Sequence, residues 1–337
     1  MYDVPLWSPP YGGHVRTGVL AAGMAQRARP PRRSCALPLA PVVAGTVSWP
    51  ALRRLASPLE QALFDSVSTD AGFVKILRPD ARGPNGELPR GPMPGAPSRV
   101  DDEQAAYLMR QGVWSPPCAR SDVRVLSPAF TVPKSDGLLS RLVWDGRIVN
   151  HFLCRPPSLP LPSPLEVAQR LASSEAIVTI DLKSWFYQLR IAPALRRLSG
   201  VRLGRRLLKF LVLPMGLSWA PAVAHTASQV LTRAVAAGAG ARDSTVWIDD
   251  IAFAVQARAV PRLLRWWSKV CRRVGAVFKP PTVGTTVSYV GLEVDAARVR
   301  WRLSPKWCTK VGGSFEELLT APTVTLGELW FAFGVDR

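Results

Sequence analysis

Three aspartates carry the chemistry of this sequence. Asp181 closes the apolar run 176–181 (AIVTID), and the adjacent pair Asp249-Asp250 sits between the two apolar arms of 244–255 (STVWIDDIAFAV). A carboxylate inside an apolar stretch is costly unless a cation neutralises it. One such residue is often a satisfied structural acid, and an adjacent pair at a hairpin turn is often no more than a polar turn. Three of them invite a divalent metal. Aspartate offers hard oxygen ligands on a short side chain, a donor set suited to Mg2+ and also to Mn2+. Two such ions about 3.5–4 Å apart could activate and stabilise the oxygens of an in-line phosphoryl transfer. On spacing alone, a metal site and a structural role are evenly matched.

Acids so placed need strands to hold them. AIVTID reads as a short buried strand, and the apolar arms on either side of Asp249-Asp250 as a pair of strands. Residues 127–134 (SPAFTVPK) and 139–146 (LSRLVWDG) flank the turn signal Ser135-Asp136-Gly137 and predict a β-hairpin. Residues 101–113 predict a short helix with acids at its positive end. Residues 221–238 and 261–275 predict two longer helices, the first opened by Pro221, and 286–295 and 298–304 are strand-like. Residues 1–100 differ, being rich in Pro, Gly, Ala and Arg, so long loops or disorder are expected there. One island, 49–67, has helix-compatible apolar spacing, interrupted at Pro58. Thr325 and Glu328 form a capping box for a last helix.

The 337 residues carry 43 Lys plus Arg against 24 Asp plus Glu, a net charge of +19. That imbalance points to a polyanionic partner, because basic side chains near phosphates release condensed counterions. A codon bias toward Arg, Ala, Pro and Gly contributes to it. The five cysteines are scattered without C-x-x-C spacing and the three histidines lie far apart, which argues against a zinc site or a disulfide framework. No apolar run is long enough for a membrane span, and the first residues lack the order of a signal peptide, so no membrane partner is expected. The sequence reads as intracellular, with nucleus and cytoplasm both open.

Five blocks, in order, resemble the reverse transcriptase family. Residues 127–150 (SPAFTVPKSDGLLSRLVWDGRIVN) resemble its fingers block, and 178–193 (VTIDLKSWFYQLRIAP) its first palm aspartate motif. Residues 209–231 (KFLVLPMGLSWAPAVAHTASQVL) resemble the Leu-Pro-x-Gly-Leu block. VWIDDIAF (246–253) resembles the Tyr-x-Asp-Asp hairpin, and 277–295 the lysine motif and primer-grip entry. The subgroups it resembles are LTR-type retrotransposons with a Ty3/gypsy-like domain and the tyrosine-recombinase (DIRS/VIPER-like) elements, and the thumb-like wording at 301–337 suits the second somewhat better. The resemblance implies an α/β (α+β) right-hand polymerase with an antiparallel palm sheet carrying helices on one face. The expected layout is a largely disordered Pro/Arg-rich extension at 1–100, fingers at 101–175, palm at 176–303 and the truncated start of a thumb or connection at 304–337. The implied activity is RNA-directed DNA polymerisation on an RNA or DNA template–primer with dNTPs. No block resembles RNase H, so loss of that C-terminal domain is expected. The alternative is an inactive truncated fragment that at most binds nucleic acid. An RNA-dependent RNA polymerase shares the palm chemistry, but Phe186 and the Leu-Pro-Met-Gly-Leu block oppose it.

The same resemblance assigns roles. Asp181, Asp249 and Asp250, with the backbone carbonyl of Leu182, would bind two Mg2+ ions, Mn2+ being an alternative. Lys134 and Arg141 match the fingers cations that grip the incoming triphosphate. Phe186 matches an aromatic steric gate beneath the sugar, and Met215 and Gly216 line the nucleotide and template pocket. Lys279 matches a mobile lysine that protonates the leaving pyrophosphate, though Pro280 and Pro281 crowd it. Gln188, Asp145, Arg147 and Asn150 are read as scaffold. Trp247 departs from the usual Tyr or Phe, and Ser218-Trp219 from the usual small or polar pair.

Overall fold

In a computed structural model, which describes residues 37–83, 87–91, 98–134, 137–172, 174–305 and 308, the three acids lie at one end of a four-stranded antiparallel sheet. Among the described residues the first α-helices are α1 (Trp49–Arg53), α2 (Pro58–Ser68) and α3 (Asp70–Ile76). After α4 (Asp102–Arg110), strands β1 (Ala129–Pro133) and β2 (Ser140–Trp144) form the expected hairpin, with Ala129 opposite Trp144. Helices α5 (Arg147–Phe152) and α6 (Pro164–Leu171) lead into β3 (Ala176–Asp181). Short helices α7 (Trp185–Gln188) and α8 (Pro193–Leu198) precede the pair β4 (Gly200–Leu203) and β5 (Arg206–Lys209). The long α9 (Ala220–Ala239) is followed by β6 (Asp243–Trp247), β7 (Asp250–Val255) and α10 (Val260–Val274). The described strands end with β8 (Thr282–Gly284), β9 (Thr286–Tyr289), β10 (Leu292–Asp295) and β11 (Arg300–Leu303).

The four-stranded sheet runs β6-β7-β3-β8, and β9, β10 and β11 form a separate three-stranded sheet. Alternation along β3 and β7 decides what each face meets. Val178, Ile180, Ile251, Phe253 and Val255 join a large core with Val223, Ala227 and Val230 of α9 and Leu263 and Trp267 of α10. Ile177, Ala252 and Ala254 face the other way, into a smaller core with Val167 and Leu171 of α6 and Val287, Leu292 and Val294 of β9 and β10. Helices on one face was therefore too simple an expectation. Strands that are apolar on both sides need cover on both faces, and α6 with the second sheet supplies it.

The expectation of a largely disordered stretch over 1–100 is corrected for residues 37–83. Phe64, Val67, Phe73 and Leu77 have no exposed surface. Pro58 opens α2 rather than breaking a helix, because its missing N–H is one that no helix start can use. Ser57 and Glu60 complete a capping box around it. Tertiary bonds fix the segment: the Gly45 N–H donates to the Tyr187 carbonyl (2.8 Å), and the Trp49 indole N–H to the Arg190 carbonyl (2.8 Å). Bulk composition misleads here because part of what these helices pack against, α8, α9 and α10, lies more than a hundred positions later in the chain. The basic run at 27–33 and the rest of the expected thumb, including the Thr325–Glu328 box, lie outside the described residues. Among the described residues no helix is long and apolar enough to cross a membrane.

Candidate active site

Strand register brings the acids together. Asp181, the last residue of β3, pairs with Asp250, the first of β7, and Trp247 pairs with Asp250 across the β6–β7 hairpin. Ile248 and Asp249 are thus the two loop residues. The Leu182 N–H donates to the Asp249 carbonyl at 3.0 Å, which locks the loop onto the end of β3. From beneath, the buried Tyr289 hydroxyl donates to the Asp250 carbonyl (2.9 Å), with the Thr245 carbonyl 3.3 Å away. Tyr289 was not singled out in the sequence, where it is one apolar-looking position of a strand.

The Asp249 and Asp250 carboxylates are short of positive charge. Burial pushes the Asp250 carboxyl up to about 7, and the charges of Asp249 and Asp181 add to the rise. Burial also raises Asp249, with Asp181 repelling it and Lys279 and Arg141 acting the other way. The Lys279 ammonium donates to Asp181 Oδ2 at 2.5 Å, and its backbone N–H to the Asp181 carbonyl at 2.8 Å. Among the described residues no three His, Cys, Asp or Glu side chains close into a metal cage. Register therefore brings the expected ligands to one sheet end, while Lys279 engages Asp181. The fit to a divalent cation rests on donor chemistry: hard oxygens, desolvated and repelling one another, are stabilised by added positive charge.

Gln188 explains how Lys279 reaches this point despite its two following prolines. Its side chain is fully buried. Nε2 donates to the carbonyls of Lys183 (2.6 Å) and Val277 (2.7 Å), while Oε1 accepts from the Val277 N–H (2.8 Å) and the Thr46 hydroxyl (3.0 Å). Residues 277–279 are thereby laid along 181–183. Gln188→Leu should strand these groups and lower stability by about 2–4 kcal/mol, read by denaturant unfolding. A loss well under 1 kcal/mol would mean that the network does not hold the lysine segment.

The other expected site residues divide. Arg141, exposed on β2, is close enough for its charge to lower the Asp249 carboxyl, and the Tyr187 hydroxyl anchors its strand through the Leu142 carbonyl at 3.0 Å. Lys134 stands at the turn end of the same hairpin, its N–H donating to the Leu139 carbonyl at 2.8 Å. Phe186 is half-buried against the main core in the turn that follows Asp181. Met215 and Gly216 lie against the base of the hairpin: the Met215 carbonyl accepts from the Trp144 N–H at 2.9 Å. Asn150 clamps the loop, donating to the Gly216 carbonyl (2.9 Å) and accepting from the Ser218 N–H (2.8 Å).

No family model matches the chain. The Tf2-3 polyprotein of the Schizosaccharomyces pombe transposon is 30% identical over 169 residues, covering 50% of this chain and 11% of that protein, and the Tf2-7 polyprotein matches to the same extent. The chain thus spans about a tenth of the length of these relatives. Among solved structures, a foamy viral protease-reverse transcriptase in complex with double-stranded DNA superposes with a TM-score of 0.59 at 18% identity, over 88% of this chain and 53% of the other. The same viral enzyme with an RNA/DNA hybrid gives a TM-score of 0.55 at 17% identity, over 88% and 41%. The chain has a right-hand polymerase fold, the one found in retroviral reverse transcriptases. Within that class it resembles the reverse transcriptases of LTR retrotransposons, and the similarity found is to polyproteins of the Ty3/gypsy type.

Proposed function

We propose that the chain supplies the fingers and palm of an RNA-directed DNA polymerase, extending a primer with dNTPs on an RNA or DNA template. The observation that carries this reading is the cross-strand pair Asp181 and Asp250 with Asp249 in the adjoining loop, three acids at one sheet end of which Asp249 and Asp250 are short of positive charge. Residues 101–175 are the fingers and 176–303 the palm, with the helices at 49–76 packed into the same core. The Asp181, Asp249 and Asp250 carboxylates and the Leu182 carbonyl are the groups that would hold two Mg2+ ions, or Mn2+. When bound, such ions acidify a primer 3′-hydroxyl and neutralise triphosphate charge.

The chain's own residues do the rest. Arg141 and Lys134 on the hairpin hold the triphosphate, the first with a forked donor and the second as a point charge. Lys279 carries a proton at Nζ beside Asp181, where a leaving pyrophosphate can take it. Phe186 sits under the sugar and excludes a 2′-hydroxyl, while Met215 and the Gly216 backbone shape the base pocket. The basic surface grips the duplex through its phosphates, without sequence choice. That the foamy viral enzyme is seen with double-stranded DNA and with an RNA/DNA hybrid supports a duplex partner of this kind.

The test is primer extension by the purified chain on an RNA template with dNTPs and Mg2+, beside Asp249→Asn. Extension should fall by about 10³-fold in the variant, as expected for a group supplying several kcal/mol to the transition state. Equal extension by both proteins, or a preference for NTPs, would overturn the reading.

A further inference from the structure

Ile248, the first residue of the β6–β7 loop, has a φ of 55°. In a two-residue hairpin loop a positive φ at the first position alone is normally given to glycine. A β-branched side chain there crowds its own backbone, so the conformation lasts only where the surroundings over-determine it. Three contacts do so. The Asp249 carbonyl accepts from Leu182, the Asp250 carbonyl accepts from Tyr289, and the Ile248 N–H donates to Nδ1 of His225 at 3.2 Å.

His225 is the unusual member of this set. It lies on α9 with 1% of its surface exposed, on a buried helix face otherwise made of Ala, Val, Leu and the small hydroxyl residues Ser228 and Thr232. Accepting from Ile248 fixes its tautomer, because a neutral ring with Nδ1 as acceptor must carry its proton on Nε2. That Nε2 is buried and, among the described residues, has no hydrogen-bond partner. An unpaired buried donor is destabilising, so the ring is not explained by the stability of the helix face. Burial keeps the imidazole neutral, the state in which Nδ1 can accept.

We infer that His225 is a positioning residue for the aspartate hairpin: its Nδ1 acceptor holds the left-handed backbone of Ile248 and so aims the Asp249 and Asp250 carboxylates. The activity consequence rests on the polymerase reading, but the positioning does not. Two measurements on the full chain separate them. In the first, amide hydrogen exchange is followed for a peptide covering 246–251. His225→Leu, which keeps the apolar packing and deletes the acceptor, should speed exchange there about tenfold or more while peptides of α9 stay unchanged. In the second, kcat for primer extension should fall about 10- to 100-fold, with the KM for dNTP nearly unchanged. Ile248→Gly adopts the same φ without strain, so adding His225→Leu to it should cost no more than about twofold in kcat. That double variant also serves if His225→Leu alone folds poorly. Unchanged hairpin exchange in His225→Leu would overturn the inference, whether or not the chain polymerises. So would a kcat loss that persists in full on the Ile248→Gly background.

Discussion

Asp250→Asn should yield a chain that unfolds at higher temperature yet no longer extends a primer. The Asp250 carboxyl titrates at about 7 in the folded protein, because it is buried beside Asp249 and Asp181. In an unfolded chain an aspartate titrates near 3.9. The folded state therefore binds more protons between those values, so stability falls as pH rises through the window from about 4 to 7. A full three-unit shift would be worth about 4 kcal/mol, but coupling to Asp249 and to Lys279 reduces the share of one residue to about 1–3 kcal/mol. Asparagine removes the charge and regains that amount. In EDTA at pH 8 the variant should be the more stable protein, and at pH 4 the two should coincide, since Asp250 is then protonated. Millimolar Mg2+ should stabilise the parent and leave the variant less affected. Thermal unfolding at the two pH values, with and without Mg2+, reads all of this. If the variant is no more stable than the parent at pH 8, the site does not carry the charge deficit on which the proposed metal binding depends.

A second large effect is expected at Gly216, where the cause is steric. Its φ is 123°, and a Cβ built there would lie 1.9 Å from the Trp144 carbonyl oxygen. A Cβ on Gly146 would likewise meet the Gly216 carbonyl, at 2.3 Å. Two backbones are thus in direct contact where the β1–β2 hairpin meets the 215–218 loop, and Asn150 bonds across the junction. Gly216→Ala must push the loop off the hairpin or strain the backbone. Either outcome should lower stability by roughly 3–5 kcal/mol, the range of overpacking combined with a forbidden φ. The dNTP KM should rise as well, because the hairpin carries Arg141 and Lys134. Urea unfolding and steady-state kinetics check both parts. A variant within about 1 kcal/mol of the parent would show that the contact relaxes freely and plays no part in holding the hairpin.

Much of this site was legible in the sequence because its signals are local. Asp181 ends an apolar run and Asp249-Asp250 splits another, and alternation along strands brings such residues to a sheet end. The runs on either side of the turn signal Ser135-Asp136-Gly137 pair as the expected hairpin. Gly216 and Gln188 could be picked out by the blocks around them, though only the structure shows the backbone contact and the four hydrogen bonds they make. What stayed hidden depends on partners distant along the chain. A lone His225 on an apolar helix reads as core, and nothing nearby indicates that it accepts from Ile248. Tyr289 reads as one apolar position in a strand. Outside the helix-compatible island 49–67, residues 37–83 were judged by composition, which averages over the few apolar side chains, Phe73 and Leu77 among them, that the core buries. Lys279 could be matched to a role, but its bond to Asp181 depends on how Gln188 ties the two segments together.

The same long reach sets a timetable for the newborn chain. Trp49 leaves the ribosome 141 residues before Arg190, and Gly45 waits 145 residues for the guanidinium of that same arginine. At typical translation speeds that interval is roughly 7 to 30 seconds. Throughout it, the sides of α2 and α3 that close onto α9 and α8 have no such surface to meet, so these helices settle fully only after later ones are made. For a chain of this design the hazard of misassociation is greatest during synthesis, and a chaperone that shelters the first 80 residues would act when protection is most needed.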